Sequence, residues 1–212
     1  ETGSLRAWLF MRESGLQFNV VRLALFTPGW RERLLAHSPA GRVPVLLDGG
    51  LRIWDSLAII ETLLESESCA VGWPEAPSDR AHARSVVAEM HAGFLALRDE
   101  MPMDIRSRVR ASLDAFSPAC QADVERCCDL IGDCVRRSGG PYLFGAFSVA
   151  DVYYVPVASR FETFGLPIPS DVAAWSERVR ARPALGEWTA MAEAETESIA
   201  DVEGQVGRFP SR

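Results

Sequence analysis

The sequence predicts an α/β domain followed by an all-α domain. Three observations carry this. Residues 1–67 alternate helix, strand and hairpin signals. The stretch Ser66–Ser78 (SESCAVGWPEAPS) is rich in Ser, Pro and Gly and reads as a linker. From 79 to about 200 the apolar residues recur only at helical spacing.

The elements follow in order. Leu5, Leu9 and Phe10 share one helix face, and Gly15 follows as a stop signal, which predicts a helix over Leu5–Ser14. Phe18–Leu25 is rich in Val, Leu and Phe and predicts a strand. Pro28–Ala36 predicts a short helix with proline near its first turn. Val43–Leu47 and Leu51–Trp54 flank Asp48-Gly49-Gly50, a hairpin turn signal. Ser56–Leu64 predicts a helix entered from Asp55. In the second domain, Arg80–Arg98 reads as one long helix with Val86, Val87, Met90, Phe94 and Leu97 on one side. Ser117-Pro118 opens a helix to about Arg137. Ser148–Phe164, Ser170–Arg180 and Ala184 to about Glu195 complete the set, and a mobile tail is expected after Asp201.

Composition excludes several classes of function. The 212 residues hold 22 basic residues against 29 acidic ones, a net charge of −7, and every basic residue is arginine. Nucleic-acid binding through broad phosphate attraction needs a basic face, as does docking on an anionic membrane. No apolar run approaches the ~20 residues of a membrane helix. The five cysteines match no metal-ligand spacing, and Cys120, Cys127 and Cys134 lie seven apart on one helix face. They read as small core residues of a cytoplasmic protein.

Three segments carry specific information. In Arg42-Val43-Pro44, a proline begins a strand. With a cis bond there, the Val43 N–H and C=O point out of the sheet and can pair with an extended peptide. The bland alternative is an ordinary edge strand. Asp55-Ser56 enters a helix whose N-terminal N–H groups suit a carboxylate, while Asp55 suits an ammonium. Asp55 also reads simply as an N-cap. Phe147-Ser148-Val149-Ala150-Asp151-Val152 is a capping box on Ser148 and Asp151, with Phe147 and Val152 as its hydrophobic staple.

Taken in order, the Val-Pro strand, the Asp-Ser helix entry, the linker and the Ser-x-x-Asp box resemble the soluble glutathione transferases. Stretches such as SPAGRVPVLLDGGLRIWDSLAII and FSVADVYYVPVASRFETFG are similar to a bacterial, serine-type, zeta-like branch. The resemblance implies a thioredoxin-like glutathione-binding domain over 1–67, an all-helical domain over 79–200 and a cytoplasmic homodimer. It implies glutathione as co-substrate, no metal, and conjugation to, or isomerisation of, a small electrophile. Val43 and Pro44 then face the cysteinyl part of glutathione. Asp55 and Ser56 hold its γ-glutamyl end, and Arg42 faces its glycyl end. His37 lies on the approach. Met90, His91, Phe94 and Tyr153 or Tyr154 line the second-substrate pocket, where Arg98 and Arg160 are candidates for receiving an anionic group.

Serine-type members carry Ser-Ser-x-Ser-x-Arg between the first strand and the first helix, and the first serine activates the thiol. The matching stretch here is Glu1-Thr2-Gly3-Ser4-Leu5-Arg6. Ser4 and Arg6 match, and the activating position falls on Glu1. A carboxylate cannot donate a hydrogen bond to a thiolate and raises the thiol's pKa. Thr2 and Ser4 are the remaining hydroxyls, Ser4 also reading as a helix N-cap. The first strand of such a domain is expected to be missing from these residues. With the activating residue lost, the alternative function is a non-catalytic binding or scaffold protein on the same fold.

Overall fold

A computed structural model describes residues 2–212. The chain divides into two compact units, 1–72 and 73–212.

The first unit starts with helix α1 (Thr2–Glu13), which buries Leu5, Leu9, Phe10 and Met11. Gly15, at φ 76°, ends it in the left-handed region. This lets the Leu16 N–H reach back to the Met11 carbonyl at 3.0 Å. Helix α2 (Trp30–His37) follows, then strands β1 (Val45–Asp48) and β2 (Leu51–Trp54). The strands pair antiparallel from Val45↔Trp54 to Asp48↔Leu51. Gly49 and Gly50, both at positive φ, form the two-residue turn that matches the strand twist. Helix α3 (Ser56–Ser66) packs Ile59, Ile60 and Leu63 inward, against α1 and the hairpin.

One expected strand does not form. Phe18–Leu25 lies in a stretch without regular secondary structure, and Val20 and Val21 are 64% and 68% exposed. Strand-favouring side chains express a preference only when another strand supplies the ladder. Among the described residues no strand does so, since the sheet consists of β1 and β2 alone.

The second unit contains α4 (Pro77–Ala92), α5 (Leu95–Glu100), α6 (Pro118–Ser138), α7 (Val149–Phe164), α8 (Ser170–Arg180), α9 (Pro183–Glu193) and α10 (Ala200–Gly207). Helix α7 is its axis, packed against α4 and α8, with 15 of its 16 residues buried. At its start the capping box closes between Ser148 and Asp151. Asp151 is fully buried. Its oxygens accept from the Leu143 N–H, the Ser148 N–H and hydroxyl, and Trp175 Nε1, all at 2.9–3.1 Å. Burial still pushes its pKa up to about 6, with these four donors opposing the rise.

Two further expectations change. The run Arg80–Arg98 is not one helix: α4 stops at Ala92, Gly93 is extended, and Phe94 takes φ 58° before α5 begins. The break is held from both sides. Arg98 donates to the carbonyls of Met90, His91 and Gly93, which the interruption leaves without helical partners. From α6, Asp123 accepts the Leu97 N–H at 3.1 Å. Helical periodicity survives the break because Met90, Phe94 and Leu97 all remain buried. The tail after Asp201 is also ordered. It forms most of α10, buries Val206, and docks through Arg110 N–H to the Pro210 carbonyl and Arg212 N–H to the Arg108 carbonyl. Phe209 packs on Phe116 and Phe164, so aromatic burial outweighs the glycines at 204 and 207.

Candidate functional site

The hairpin register organises the candidate site. The ladder ends at Val45↔Trp54, so Pro44 and Asp55, each one residue beyond that last pair, leave the sheet at the same end. Residues from two separate sequence segments therefore meet at one end of the sheet.

The Val43–Pro44 peptide bond is cis. Neither the N–H nor the C=O of Val43 forms a hydrogen bond among the described residues. The loop leading to it is fixed by Ser38, a fully buried residue that sequence reasoning missed. Its hydroxyl donates to the Arg42 carbonyl at 2.7 Å and accepts the Arg42 N–H at 3.3 Å. Its own N–H ends α2 on the Leu34 carbonyl, and its carbonyl accepts from Gly41 at 3.0 Å. The only hint in the sequence was Ser38-Pro39 immediately after a helix. Arg42 is thus anchored by its backbone, with its side chain exposed; His37 is half-buried in the last turn of α2.

Across the hairpin, Asp55 sits at φ 76°, ψ 133°. A non-glycine residue there costs on the order of 1–3 kcal/mol, and such geometry concentrates at binding sites. Asp55 Oδ1 accepts the Leu57 N–H at 2.8 Å, which caps α3. Ser56 is buried at the first position of α3, where the helix dipole is positive. The arrangement offers a peptide-pairing backbone at Val43 beside a carboxylate and a helix N-terminus. That combination fits a short extended peptide ending in an α-amino acid.

The N-terminal hydroxyls occupy α1. Thr2 opens that helix, and Ser4 lies inside its first turn rather than capping it, because the helix begins three residues earlier than expected. Glu1 lies outside the described residues.

The four second-substrate candidates lie in the helical unit. Met90 and Tyr154 have no exposed surface, and Phe94 is 7% exposed. The Tyr154 hydroxyl donates to the Val86 carbonyl at 3.2 Å, and burial pushes its pKa up. His91 is half-buried, edge-on to Tyr153 with ring centroids 5.9 Å apart. Arg160 is 3% exposed and donates to the carbonyls of Met101 and Pro156. Arg160 and Arg98 are therefore corrected from anion receivers to backbone clamps.

Cys120, Cys127 and Cys134 are buried on one face of α6, and burial pushes the Cys120 thiol up to about 12. Thiols held so far from thiolate are poor nucleophiles. Among the described residues no group of His, Cys, Asp and Glu is placed to hold a metal ion, and no helix is long and apolar enough to cross a membrane.

Comparison with known proteins gives the family. The family described as glutathione S-transferase, N-terminal domain, matches residues 4–66, and glutathione S-transferase, C-terminal domain, matches 81–190. The chain belongs to the glutathione S-transferase family, with the thioredoxin-like and helical domains of that fold. Glutathione S-transferase F14 of Arabidopsis thaliana is 28% identical over 197 residues, covering 86% of this chain and 77% of that protein. Dichloromethane dehalogenase of Methylophilus leisingeri is 36% identical over 69 residues, 30% of this chain and 25% of that longer protein. Among solved structures, a glutathione transferase homolog from Burkholderia GL BGR1 with bound glutathione superposes at a TM-score of 0.69 and 24% identity, covering 92% of this chain and 94% of that one. Maleyl pyruvate isomerase, a bacterial zeta-class member, superposes at 0.71 and 20% identity, covering 94% and 96%.

Proposed function

We propose that the protein binds glutathione and uses its thiolate to attack a small electrophile. The observation that carries this reading is the register that sets cis Val43–Pro44 beside the Asp55–Ser56 entry to α3. In this reading Val43 pairs by its backbone with the cysteinyl residue, Pro44 shapes the turn, and Arg42 faces the glycyl carboxylate. Asp55 receives the γ-glutamyl ammonium, while Ser56 and the first N–H groups of α3 receive its carboxylate.

A hydroxyl from the first turn of α1, Thr2 or Ser4, donates to the sulfur and holds it as thiolate. In conjugation the C–S bond forms as the carbon–halogen bond breaks, and the thiol proton leaves to solvent. In isomerisation the thiolate adds to a C=C bond, the adduct rotates, and elimination regenerates glutathione. Residues 1–67 supply the glutathione site. Residues 79–200 supply the second substrate's pocket, with His91 as its polar member beside Met90, Phe94 and Tyr154. In the same reading the protein is a serine-type, zeta-like member that works as a cytoplasmic homodimer.

The test is glutathione-dependent conjugation of a chlorinated nitrobenzene. The expected result is turnover that falls about 100-fold on replacing the thiol-activating hydroxyl, by Thr2→Ala or Ser4→Ala. Undiminished turnover in both variants, or none in the parent chain, contradicts the reading.

A further inference from the structure

A cavity lies within the helical unit. It encloses about 300 Å³ between α7, α8, α9 and the segment around Ile105–Arg108. That is the lower end of volumes that hold small ligands. Its charge is unusual. Glu162 of α7 is shared by three guanidinium groups. Arg108 Nε lies 3.1 Å from Oε1, Arg180 Nη1 lies 3.3 Å from Oε2, and Arg212 Nη2 lies 3.3 Å from Oε1. Arg212 reaches Glu162 from outside the cavity lining, and with Glu193 also lining the space the three guanidiniums exceed the carboxylates by one positive charge.

Donors are also left over. Arg108 spends Nη1 on the carbonyls of Ile105 and Ser107. Its Nη2, and the Nη2 of Arg180, make no hydrogen bond among the described residues, and both side chains line the cavity. Both guanidiniums face the same carboxylate, and Arg180 Nε is buried without a hydrogen-bond partner among the described residues. Ile105 and Leu185 supply an apolar wall. Glu193, exposed at the end of α9, also lines the space and opposes a second negative charge.

We propose that this cavity is a binding site for a small monocarboxylate with an apolar body. The carboxylate takes the Nη2 donors of Arg108 and Arg180, and the body rests on Ile105 and Leu185. Glu162 acts as the internal template that spaces the two arginines. No bond is made or broken at this site, and the proposal does not depend on glutathione binding.

The test is titration of the full chain with benzoate, followed by ligand-observed NMR, with benzylammonium as the cation of equal size and phthalate as the dianion. Benzoate is expected to bind, phthalate to bind more weakly and benzylammonium not at all. Arg180→Gln should weaken benzoate by about tenfold, because a charge-assisted hydrogen bond is removed. A second variant, Arg108→Gln, guards against a local rearrangement at Arg180, and an unchanged urea midpoint certifies each fold. Equal binding of benzylammonium, unchanged benzoate affinity in both variants, or no benzoate binding at 10 mM (about the weakest range of interest) would overturn the proposal.

Discussion

The two units bury their chains to very different depths. Helix α7 is buried over 15 of 16 residues, whereas neither strand of the hairpin contains a buried residue. Leu47, Leu51 and Trp54 are 49%, 61% and 46% exposed. The first unit's core comes from α1 and α3, and its sheet is a thin, open edge beside the candidate site. The difference lies in burial: the helical unit is built round a fully packed helix, and the first unit leaves its hairpin open to solvent.

The largest effect should come from the polar centre of the dense unit. Asp151→Ala leaves four buried donors without an acceptor. At ~1–3 kcal/mol for each unsatisfied buried group, a loss of about 4 kcal/mol or more is expected in urea denaturation. A loss below about 1 kcal/mol would mean that the helical unit does not depend on this node.

The same residue gives a pH dependence of defined sign. Its folded pKa of about 6 lies above the ordinary value of 3.8. Between those values the folded state binds more protons than the unfolded state, so its contribution makes stability fall as pH rises from about 4 to 6. The size is about 3 kcal/mol at ~1.36 kcal/mol per pKa unit. Comparing the parent chain with Asp151→Asn across that window isolates the contribution; a rise with pH would contradict it.

Hydrogen exchange sharpens the comparison between units. Amides of residues 149–164 should exchange at least about 100-fold more slowly than those of 45–54, because local opening follows burial. Equal protection would erase the contrast. A smaller change is expected from Ser38→Ala, which removes the hydroxyl that fixes the Arg42 backbone. It should cost about 1 kcal/mol and weaken glutathione binding while leaving exchange in 149–164 unaltered. Unchanged glutathione affinity would mean that the loop before Pro44 needs no such anchor.

Legibility in the sequence followed the range of the interactions involved. The hairpin was readable because Gly49 and Gly50 dictate a two-residue turn locally. The capping box was readable for the same reason, although Trp175 and Leu143 as further donors to Asp151 were not. Phe18–Leu25 misled because strand propensity contains no information about a ladder partner. The break at Gly93–Phe94 was hidden because the apolar period runs through it, and what stabilises it, Arg98 and Asp123, acts from the next helix and beyond. The docked tail was hidden because its partners, Arg108 and Arg110, lie about 100 residues earlier. At the candidate site, Val43-Pro44 and Asp55-Ser56 were visible as separate motifs. Their adjacency became evident only with the register, and Ser38 only with its hydrogen bonds.

In the proposed function, the open end of the hairpin holds glutathione through Asp55. Calorimetric titration of glutathione into the parent chain and into Asp55→Asn tests it most directly, since asparagine retains the cap of α3 and tolerates positive φ while removing the charge. The predicted result is binding by the parent chain, at least about tenfold weaker binding by the variant, and the same urea midpoint for both. Equal affinities, or no binding by the parent chain, would contradict the claim.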